Sequence, residues 1–237
     1  MSTIGVLREG PLHAAVKAML AGPGDRLEVP VGRFVIDMVR ADGELVEVQT
    51  GGFGPLGAKL DALLDRHTFR IVHPVAVERR IVRVDEHGEV VSSRRSPKRG
   101  TVAEVFDKLT SFPWLLTHPN LTIEVLLLAE DHIRGAQRVT VRGRTRDPGQ
   151  RHLREVIGRV ELNGAEDVLR ALPPLPSEPF STRELASLLG CGTVLAQRTA
   201  YCLRAVDIIE AAGKRGHTPL HRVTAPSSVS RAAARRR

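Results

Sequence analysis

Two β-branched segments joined by a short glycine-containing loop constrain this chain most. Residues 33–40 (RFVIDMVR) and 44–50 (ELVEVQT) both read as strands, and residues 41–43 (ADG) separate them. A three-residue loop with glycine in the left-handed position is a common closure of a β-hairpin. The spacing therefore predicts an antiparallel pair in which Met38 lies opposite Val46.

This register places two carboxylates face to face. Asp37 lies opposite Glu47, and Gln49 follows on the same face. Opposed side chains have Cβ atoms about 5 Å apart, and two carboxylates 4 Å apart repel by about 4 kcal/mol at an effective dielectric constant of about 20. A shared proton, an arginine or a divalent cation must offset that repulsion, and such oxygen ligands suit Mg²⁺. The alternatives are a polar face open to water and a salt bridge to arginine. The opposite face is expected to point into the core: Phe34, Ile36, Met38, Val46 and Val48.

The charge of the chain favours an anionic partner. Its 237 residues carry a formal net charge of +8, and nucleic acid is the commonest partner of a basic protein. Four of the arginines lie in the tail at 226–237, which we expect to be disordered, so the remainder carries about +4. Nucleic acid is therefore the expected class of partner, with a moderate electrostatic argument behind it.

Other features exclude several classes of protein. Cys191 and Cys202 cannot staple a domain of this size, and neither shows a zinc-ligand spacing. The N-terminal MSTIGVLREG has no apolar signal segment, and no run of about 18 apolar residues occurs. We expect a soluble, cytoplasmic protein with reduced thiols and no contact with a membrane; a homodimer is compatible with the sequence.

The apolar pattern predicts an α/β domain over residues 1–160. Pro74 is expected to end one strand before another begins, and Thr101 with Glu104 is expected to form a capping box that opens a helix. Residues 92–100 (SSRRSPKRG) are expected to form a basic loop. Helices are predicted at 7–20, 55–66 and 101–109, and strands at 27–29, 33–40, 44–50, 68–73, 75–84 and 121–129.

A proline-rich stretch at 172–179 (LPPLPSEP) accompanies a change of pattern, and we expect a second, small domain over residues 161–225. Ser181 and Glu184 form a capping box for a short helix, and a longer helix follows a glycine turn. A strand, a basic turn and a strand complete the domain. This order resembles a winged helix-turn-helix. The longer helix is expected at 193–206, with a buried stripe formed by Leu195, Thr199, Cys202, Leu203 and Val206.

The winged-helix resemblance implies a set of DNA contacts. A recognition helix in the major groove reads bases and grips phosphates through its outward side chains. A solvated basic helix pair, or a winged helix used for protein contacts, is the alternative, and a solvated loop is the alternative for residues 92–100. The expected contacts are Gln197, Arg198, Tyr201 and Arg204 on the helix, Lys214, Arg215 and His217 in the wing, and Arg94, Arg95, Lys98 and Arg99 in the basic loop.

The order of elements over about residues 7–84 resembles the core of the PD-(D/E)XK nuclease superfamily, the restriction-endonuclease-like fold. Glu9 matches the acid on the first helix, Asp37 the metal-binding aspartate, and Glu47-Val48-Gln49 the Glu-x-Lys motif. The segments SPKRGTVAEVF and LTHPNLTIEVLLLAE resemble an uncharacterised prokaryotic group of such proteins that ends in a winged helix. The resemblance implies a mixed sheet flanked by helices, with a small winged helix-turn-helix domain.

The resemblance also implies metal-dependent hydrolysis of phosphodiester bonds. Asp37, Glu47 and the Val48 carbonyl would bind Mg²⁺ or Mn²⁺, and Glu9 would hold a second ion through water. Gln49 stands where the superfamily usually has lysine. An amide is no general base, so the rate would rest on the metal. Lys59 on the following helix could replace the missing lysine, although a solvated lysine is its ordinary interpretation.

Three functions follow from these features. The leading hypothesis is a metal-dependent DNA endonuclease-like protein with winged-helix DNA binding, which the Asp37 and Glu47 pair favours. The second is a noncatalytic DNA-binding or regulatory protein on a degenerate nuclease fold, which Gln49 favours. The third is a protein-interaction adaptor, which predicts no affinity for DNA.

Overall fold

The computed structural model describes residues 9–135, 139–141, 144–147 and 149–224, with only the backbone described at 139–141 and 144–146. The tail at 226–237, and with it the expectation of disorder, lies outside the described residues. So do the first two residues of the helix predicted at 7–20.

Helices in the described residues follow the predicted order with shorter bounds. Two 3₁₀ turns, Gly54–Leu56 and Pro113–Thr117, accompany them. The α-helices are α1 (Pro11–Leu20), α2 (Gly57–Leu63), α3 (Glu104–Leu109), α4 (Ala165–Ala171), α5 (Thr182–Leu188) and α6 (Thr193–Ala205).

The strands in the described part of the chain form one large sheet and two small ones. They are β1 (Arg26–Val31), β2 (Phe34–Val39), β3 (Leu45–Val48), β4 (Phe69–Val84), β5 (Val90–Arg95), β6 (Leu121–Arg134), β7 (Val139–Val141), β8 (Arg144–Arg146), β9 (Gln150–Leu162), β10 (Phe180–Ser181), β11 (Ile209–Arg215) and β12 (Thr218–Val223). The large sheet has the order β1-β2-β3-β4-β6-β9, with β5 paired to β4. The fold class is α/β, as predicted, with a mixed sheet flanked by helices.

The chain divides into two compact units, and each is assembled from three segments. Because β4, β6 and β9 are long, each of them contributes residues to both units. The first unit is Met1–Thr50, Val72–Thr101 and Leu126–Arg159; the second is Gly51–Ile71, Val102–Val125 and Val160–Arg237.

The core of the first unit forms where α1 packs on the sheet. The helix begins with Pro11 at its first position, where a proline loses no helical hydrogen bond. Its apolar side chains recur at helical spacing, and burying one contributes about 1.5–3 kcal/mol. Met19, on the same helix, is partly exposed. The buried cluster comprises Leu12, Val16, Leu20, Met38, Val46, Val48, Val72, Ala76, Leu126 and Leu128.

The hairpin register predicted from the glycine loop is confirmed. Met38 pairs with Val46 and Val39 pairs with Leu45. The Arg40 amide donates to the Glu44 carbonyl at 2.9 Å. Gly43, at φ 94°, has the left-handed conformation that the closure requires.

Burial of the hairpin differs from the prediction in two places. Every residue of β3 is buried, so this strand is covered on both faces, whereas the alternation predicted one polar face. Phe34 is only half-buried, and the Arg33 guanidinium lies 5.0 Å from its ring centroid.

Within the second unit, the capping box of α5 is confirmed. The Glu184 amide donates to Ser181 Oγ at 3.2 Å, and the Ser181 amide donates to Glu184 Oε2 at 2.6 Å. Helix α6 lies where it was predicted, and Thr199, Cys202, Leu203 and Val206 are buried; Leu195 is half-buried.

Two strand predictions were wrong. Pro74 does not end a strand, because β4 runs through it; proline removes one ladder donor, but its fixed φ is compatible with an extended chain. Arg94 and Arg95 lie in β5, paired with Ile81 and Arg80, and not in a loop. Lys98 and Arg99 do follow the strand as a loop.

The helix start predicted at Thr101 was also wrong. Helix α3 begins at Glu104 with Ala103 at its N-cap position and no side-chain cap. The Val105 amide donates to the Val102 carbonyl at 3.1 Å. A turn over residues 102–103 therefore precedes the helix, and Thr101 lies too early to cap it.

Candidate functional site

A row of three carboxylates crosses neighbouring strands of the first unit. The pairs of β1 with β2 place Glu28 opposite Asp37, and the register of β2 with β3 places Asp37 opposite Glu47. The Asp37 amide donates to Glu47 Oε1 at 3.4 Å, a long contact. The structure thus brings together the two acids that the sequence predicted, and it adds Glu28 as a third.

Cationic groups on α1 face this row. His13 Nδ1 lies 2.7 Å from Glu9 Oε1, and Lys17 Nζ lies 2.7 Å from the same oxygen. Lys17 also forms an ion pair with Glu28. Because Glu9, His13 and Lys17 are spaced four residues apart, one side of the helix and of the turn before it presents all three.

Asp37 is held by two hydrogen-bond partners. The Val48 amide donates to its Oδ2 at 2.8 Å, and His13 Nε2 lies 3.2 Å from the same oxygen. Within the part of the chain that the structure describes, its Oδ1 has no protein partner. One carboxylate oxygen therefore anchors the side chain while the other stays available to a ligand.

These contacts oppose the effect of burial on the two central groups. Burial would raise the pKa of Asp37, but the hydrogen bonds from His13 and the Val48 amide, with the charges of His13 and Lys17, lower it. Burial would lower the pKa of His13, but the hydrogen bonds and charges of Asp37 and Glu9 raise it. The contact therefore favours an ionised Asp37 beside a protonated His13.

Contacts also oppose the effect of burial on the pKa values of Glu9 and Lys17. Burial would raise the pKa of Glu9, and Lys17 and His13 lower it. Burial would lower the pKa of Lys17, and Glu28 and Glu9 raise it. Histidine and lysine on α1 thus supply positive charge that the sequence analysis assigned to a metal ion, a shared proton or an arginine.

Glu28 has a strained backbone. Its φ of 52° lies in the left-handed region, which costs a residue with a side chain about 1–2 kcal/mol. The unusual conformation occurs at the residue that forms an ion pair with Lys17. The strand therefore tolerates strain at the point where its carboxylate joins the row.

The oxygen ligands at this site fit a magnesium ion only if the protein supplies one or two of the ligands and water or substrate supplies the rest. Among the described residues, no group of three or more His, Cys, Asp or Glu side chains is arranged to hold a metal ion. Mg²⁺ usually keeps several waters and takes one or two carboxylates together with substrate phosphates. Asp37 with its available Oδ1 and the neighbouring Glu47 meet that smaller requirement.

Gln49, at the position of the usual lysine, and Lys59, its predicted replacement, lie in different units. The Gln49 amide donates to the Val72 carbonyl at 2.8 Å, and the buried His73 lies with Nδ1 2.6 Å from the Gln49 carbonyl oxygen. The backbone of Gln49 is therefore fixed one residue beyond β3. Lys59 lies on α2, in the second unit.

Comparison with known proteins gives the family of this chain. A model described as a domain of unknown function, DUF8091, matches residues 10–163. The chain belongs to the DUF8091 family. It is 32% identical over 227 residues to a protein of Treponema pallidum (strain Nichols) described as uncharacterized, with 94% of this chain and 89% of that protein covered. No solved structure matches.

The DUF8091 match includes the carboxylate row of the first unit but neither Glu9 nor α6 of the second unit. Glu28, Asp37 and Glu47 lie within residues 10–163, whereas Glu9 and α6 lie outside that range.

None of the helices in the described ranges is both long enough and apolar enough to span a membrane.

The side chains predicted to contact DNA from the second unit of this DUF8091 protein are exposed. Two of them have protein partners within their own unit. Arg198 forms an ion pair with Asp107, and Arg215 donates to Glu184 Oε1 at 2.9 Å and to the Pro179 carbonyl at 3.2 Å. The exposed set is Gln197, Arg198, Tyr201, Arg204, Lys214, Arg215 and His217.

The wing residues are placed slightly differently from the prediction. Lys214 and Arg215 end β11, so the turn between the strands is Gly216 and His217. In the first unit, the four basic residues Arg94, Arg95, Lys98 and Arg99 are exposed, two on β5 and two after it.

Lys17 and Glu28 are members of the site that the sequence did not predict. The i, i+4 spacing of Glu9, His13 and Lys17 was a usable signal, because it places acid, imidazole and ammonium on one side of a helix. Glu28 gave no comparable signal. Its side chain joins the row through a left-handed backbone conformation that a strand pattern does not predict.

Proposed function

We propose that this DUF8091 protein is a metal-dependent DNA endonuclease-like protein that hydrolyses phosphodiester bonds. The observation that carries the proposal is the juxtaposition of Asp37 and Glu47 on neighbouring strands, with Glu9 reaching the same network. That arrangement matches the element order and acid positions of the PD-(D/E)XK resemblance. A nuclease-like domain with a winged-helix domain is the architecture that we propose.

Each residue of the site has a role in this proposal. Asp37 and Glu47, with the Val48 carbonyl, would hold Mg²⁺ or Mn²⁺. The ion would supply a water of lowered pKa and neutralise charge on the phosphate. His13 fixes one oxygen of Asp37, so the other is directed to a ligand. Gln49 would orient water without accepting its proton.

The second unit supports the DNA-binding part of the proposal. Its elements α4, β10, α5, α6, β11 and β12 follow one another in the order of a winged helix, and its small sheet has the order β10-β12-β11. In that interpretation α6 is the recognition helix, with Gln197, Tyr201 and Arg204 exposed on it. The β11–β12 hairpin is the wing.

A second candidate function has a specific observation in its favour. Lys17 and His13 already compensate the carboxylate network, and Gln49 stands at the position of the usual lysine. A noncatalytic DNA-binding or regulatory protein on a degenerate nuclease fold needs neither metal nor lysine. This protein would bind DNA and leave it intact.

A cleavage assay separates the two candidates. Supercoiled plasmid, linear duplex and branched DNA are incubated with Mg²⁺ or Mn²⁺ and the wild type, Asp37→Ala or Asp61→Ala. Asp61 is an exposed aspartate on α2 and provides the matched control. We expect cutting by the wild type and by Asp61→Ala, and a loss of at least about a hundredfold with Asp37→Ala, as for the loss of several kcal/mol of transition-state stabilisation.

Three results would contradict the nuclease proposal or its DNA component. Binding without cutting, unchanged by Asp37→Ala, favours the regulator. Cutting that survives Asp37→Ala places the activity elsewhere. DNA affinity should also fall steeply with added salt, because arginine and lysine contacts release counterions; a flat response contradicts both DNA-binding candidates.

A further inference from the structure

An arginine-lined cavity lies in the first unit, apart from the carboxylate row. Its volume is about 150 Å³. Its charged lining consists of one glutamate, Glu78, and five arginines: Arg79, Arg80, Arg95, Arg99 and Arg154. No residue of the Asp37 network lines it. The cavity is therefore a separate candidate binding site.

Arg79 is held by a fully buried acid. Its Nε donates to Glu130 Oε1 at 2.6 Å, and Arg151 Nε donates to Glu130 Oε2 at 2.8 Å. Glu130 is 0% exposed. The contact uses only Nε of Arg79, and in the described part of the chain its terminal nitrogens have no protein acceptor. The guanidinium is thus positioned while the four N–H donors of its terminal nitrogens remain available.

The neighbouring Arg80 is held in a similar way. Its Nε donates to Asp131 Oδ1 at 2.9 Å and its Nη2 donates to Oδ2 at 2.5 Å. Arg154 Nε lies 3.6 Å from Asp131 Oδ1, which is close enough for an ion pair but too far for a hydrogen bond. One aspartate therefore faces two arginines, which leaves positive charge in excess.

The remaining two arginines are the least compensated. Arg99 Nη1 lies 3.9 Å from Glu78 Oε1, at the outer limit of an ion pair. Arg95 is exposed and has no ion-pair partner among the residues that the structure describes. Counting the lining and its anchors, six arginines meet three carboxylates, so the group carries an excess of about three positive charges.

The size and charge of the cavity select the class of ligand. Pockets for drug-sized organic ligands usually exceed about 300 Å³, so about 150 Å³ suits a small group. Guanidinium groups offer planar pairs of donors that match phosphate oxygens. We propose that this arginine cavity binds a single phosphate group. The group comes either from a small phosphate ester or from a nucleic-acid strand.

This proposal does not rest on the nuclease function. Binding of phosphate here requires neither a metal ion nor Asp37, so the Asp37→Ala variant is expected to keep its affinity. Loss of cleavage and loss of phosphate binding are therefore separable results. Glu78 is the acidic group of the lining, and its weak contact with Arg99 allows an anion to compete for that arginine.

The test uses the full chain and two probes. Inorganic phosphate is titrated by calorimetry, and a fluorescently labelled single-stranded oligonucleotide is titrated by anisotropy with inorganic phosphate as competitor. The variants are Arg95→Gln and Arg99→Gln, which leave no buried acid without its partner. Arg170→Gln is the matched control, since Arg170 is an exposed arginine paired with Asp167 on α4.

We expect each cavity variant to weaken binding about fivefold to tenfold, as for the loss of a charge-assisted hydrogen bond, while Arg170→Gln retains wild-type affinity. If the cavity variants bind inorganic phosphate more weakly than the wild type, a single free phosphate group is a sufficient ligand, and a small phosphate ester can supply it. Weakened binding of the oligonucleotide alone identifies a strand phosphate, and both results support the cavity. The proposal is overturned if neither probe binds, or if the cavity variants behave like Arg170→Gln with both probes.

Discussion

His13 Nε2 lies 3.2 Å from Asp37 Oδ2, so a helix imidazole contacts the carboxylate on which the proposed metal site depends. The other ring nitrogen of His13 lies 2.7 Å from Glu9 Oε1. A single protonated ring therefore links an acid before α1 to an acid on β2. This link gives the first unit a dependence on pH that does not require any ligand.

Stability should decline as the pH rises through the pKa of His13. Burial lowers that pKa, but Asp37 and Glu9 raise it above 6.5 in the folded protein. The stabilisation by protonated His13 is complete below about pH 6.5 and is lost as the pH rises through the pKa of His13 in the folded protein. His13→Gln should cost about 1–2 kcal/mol at pH 6 and much less at pH 9, measured by urea unfolding.

The matched control for this titration is His87→Gln, because His87 is a highly exposed histidine in a turn. It should leave the pH profile unchanged. Asp37 affects stability at the acidic end of the pH range. Its pKa is lowered in the folded protein, so its stabilising contribution disappears as the pH falls below about 3.8. Identical pH profiles for the wild type and His13→Gln would refute the link.

Lys17 should be more important for folding than either of its partners. Its side chain is 9% exposed and forms ion pairs with Glu9 and Glu28. Removing one partner of a nearly buried ion pair leaves uncompensated charge. Lys17→Met should therefore cost about 2–3 kcal/mol in free energy of unfolding, at the low end of that class because both acids are partly solvated.

Glu28→Gln tests the same network from its exposed side. It should cost less than Lys17→Met, and the double variant should be more stable than Lys17→Met alone, because one unpaired carboxylate is gone. Lys214→Met, at an exposed position on β11, is the control. Equal costs for Lys17→Met and Lys214→Met would show that the network does not stabilise the fold.

Glu184 should stabilise the second unit at neutral pH and lose that contribution in acid. Hydrogen bonds from the Ser181 amide, from Arg215 and from the Ser181 side chain lower its pKa to about 2. Its stabilisation is present above about pH 4.5 and is lost as the pH falls towards about 2. Glu184→Gln should therefore lower the Tm at pH 6 but leave it nearly unchanged at pH 2.

The control for Glu184 is Glu155→Gln, an exposed residue on β9. Its Tm should follow the wild type at every pH. If Glu184→Gln unfolds with the same dependence on pH as the wild type between pH 2 and 6, the capping box does not contribute in this way.

Gly43 should be required for the hairpin that sets the carboxylate register. Its φ is 94° and a Cβ there would meet no atom within 4 Å, so the conformation and not the space opposes substitution. Gly43→Ala should cost about 1–2 kcal/mol. Gly51→Ala also meets no neighbouring atom and has no positive φ, so it should change stability by less than about 0.5 kcal/mol. Equal effects would contradict the role of the turn.

The sequence predicted the hairpin well because local chemistry determines it. The loop of residues 41–43 and the apolar alternation beside it allow one register, and the structure has Met38 opposite Val46. Ser181 and Glu184 were likewise sufficient to predict the start of α5. In both places, neighbouring residues satisfy the backbone without help from distant parts of the chain.

Other predictions failed where distant partners decide the structure. Pro74 breaks a local pattern, yet the strand continues between its neighbours in the sheet. Arg94 and Arg95 look like loop residues, yet pairing with β4 makes them a strand. Lys17 was read only as part of a helix, because its partner Glu28 reaches it through a strained backbone. Single-sequence patterns do not contain these contacts.

Uptake of Mn²⁺, followed by electron paramagnetic resonance, tests most directly whether Asp37 and Glu47 form a metal site. We predict that the wild type and Asp61→Asn bind the ion, and that Asp37→Asn and Glu47→Gln each lose at least about tenfold in affinity, since each removes a charged oxygen ligand. Equal uptake by all four proteins, or no uptake by the wild type, would contradict the account.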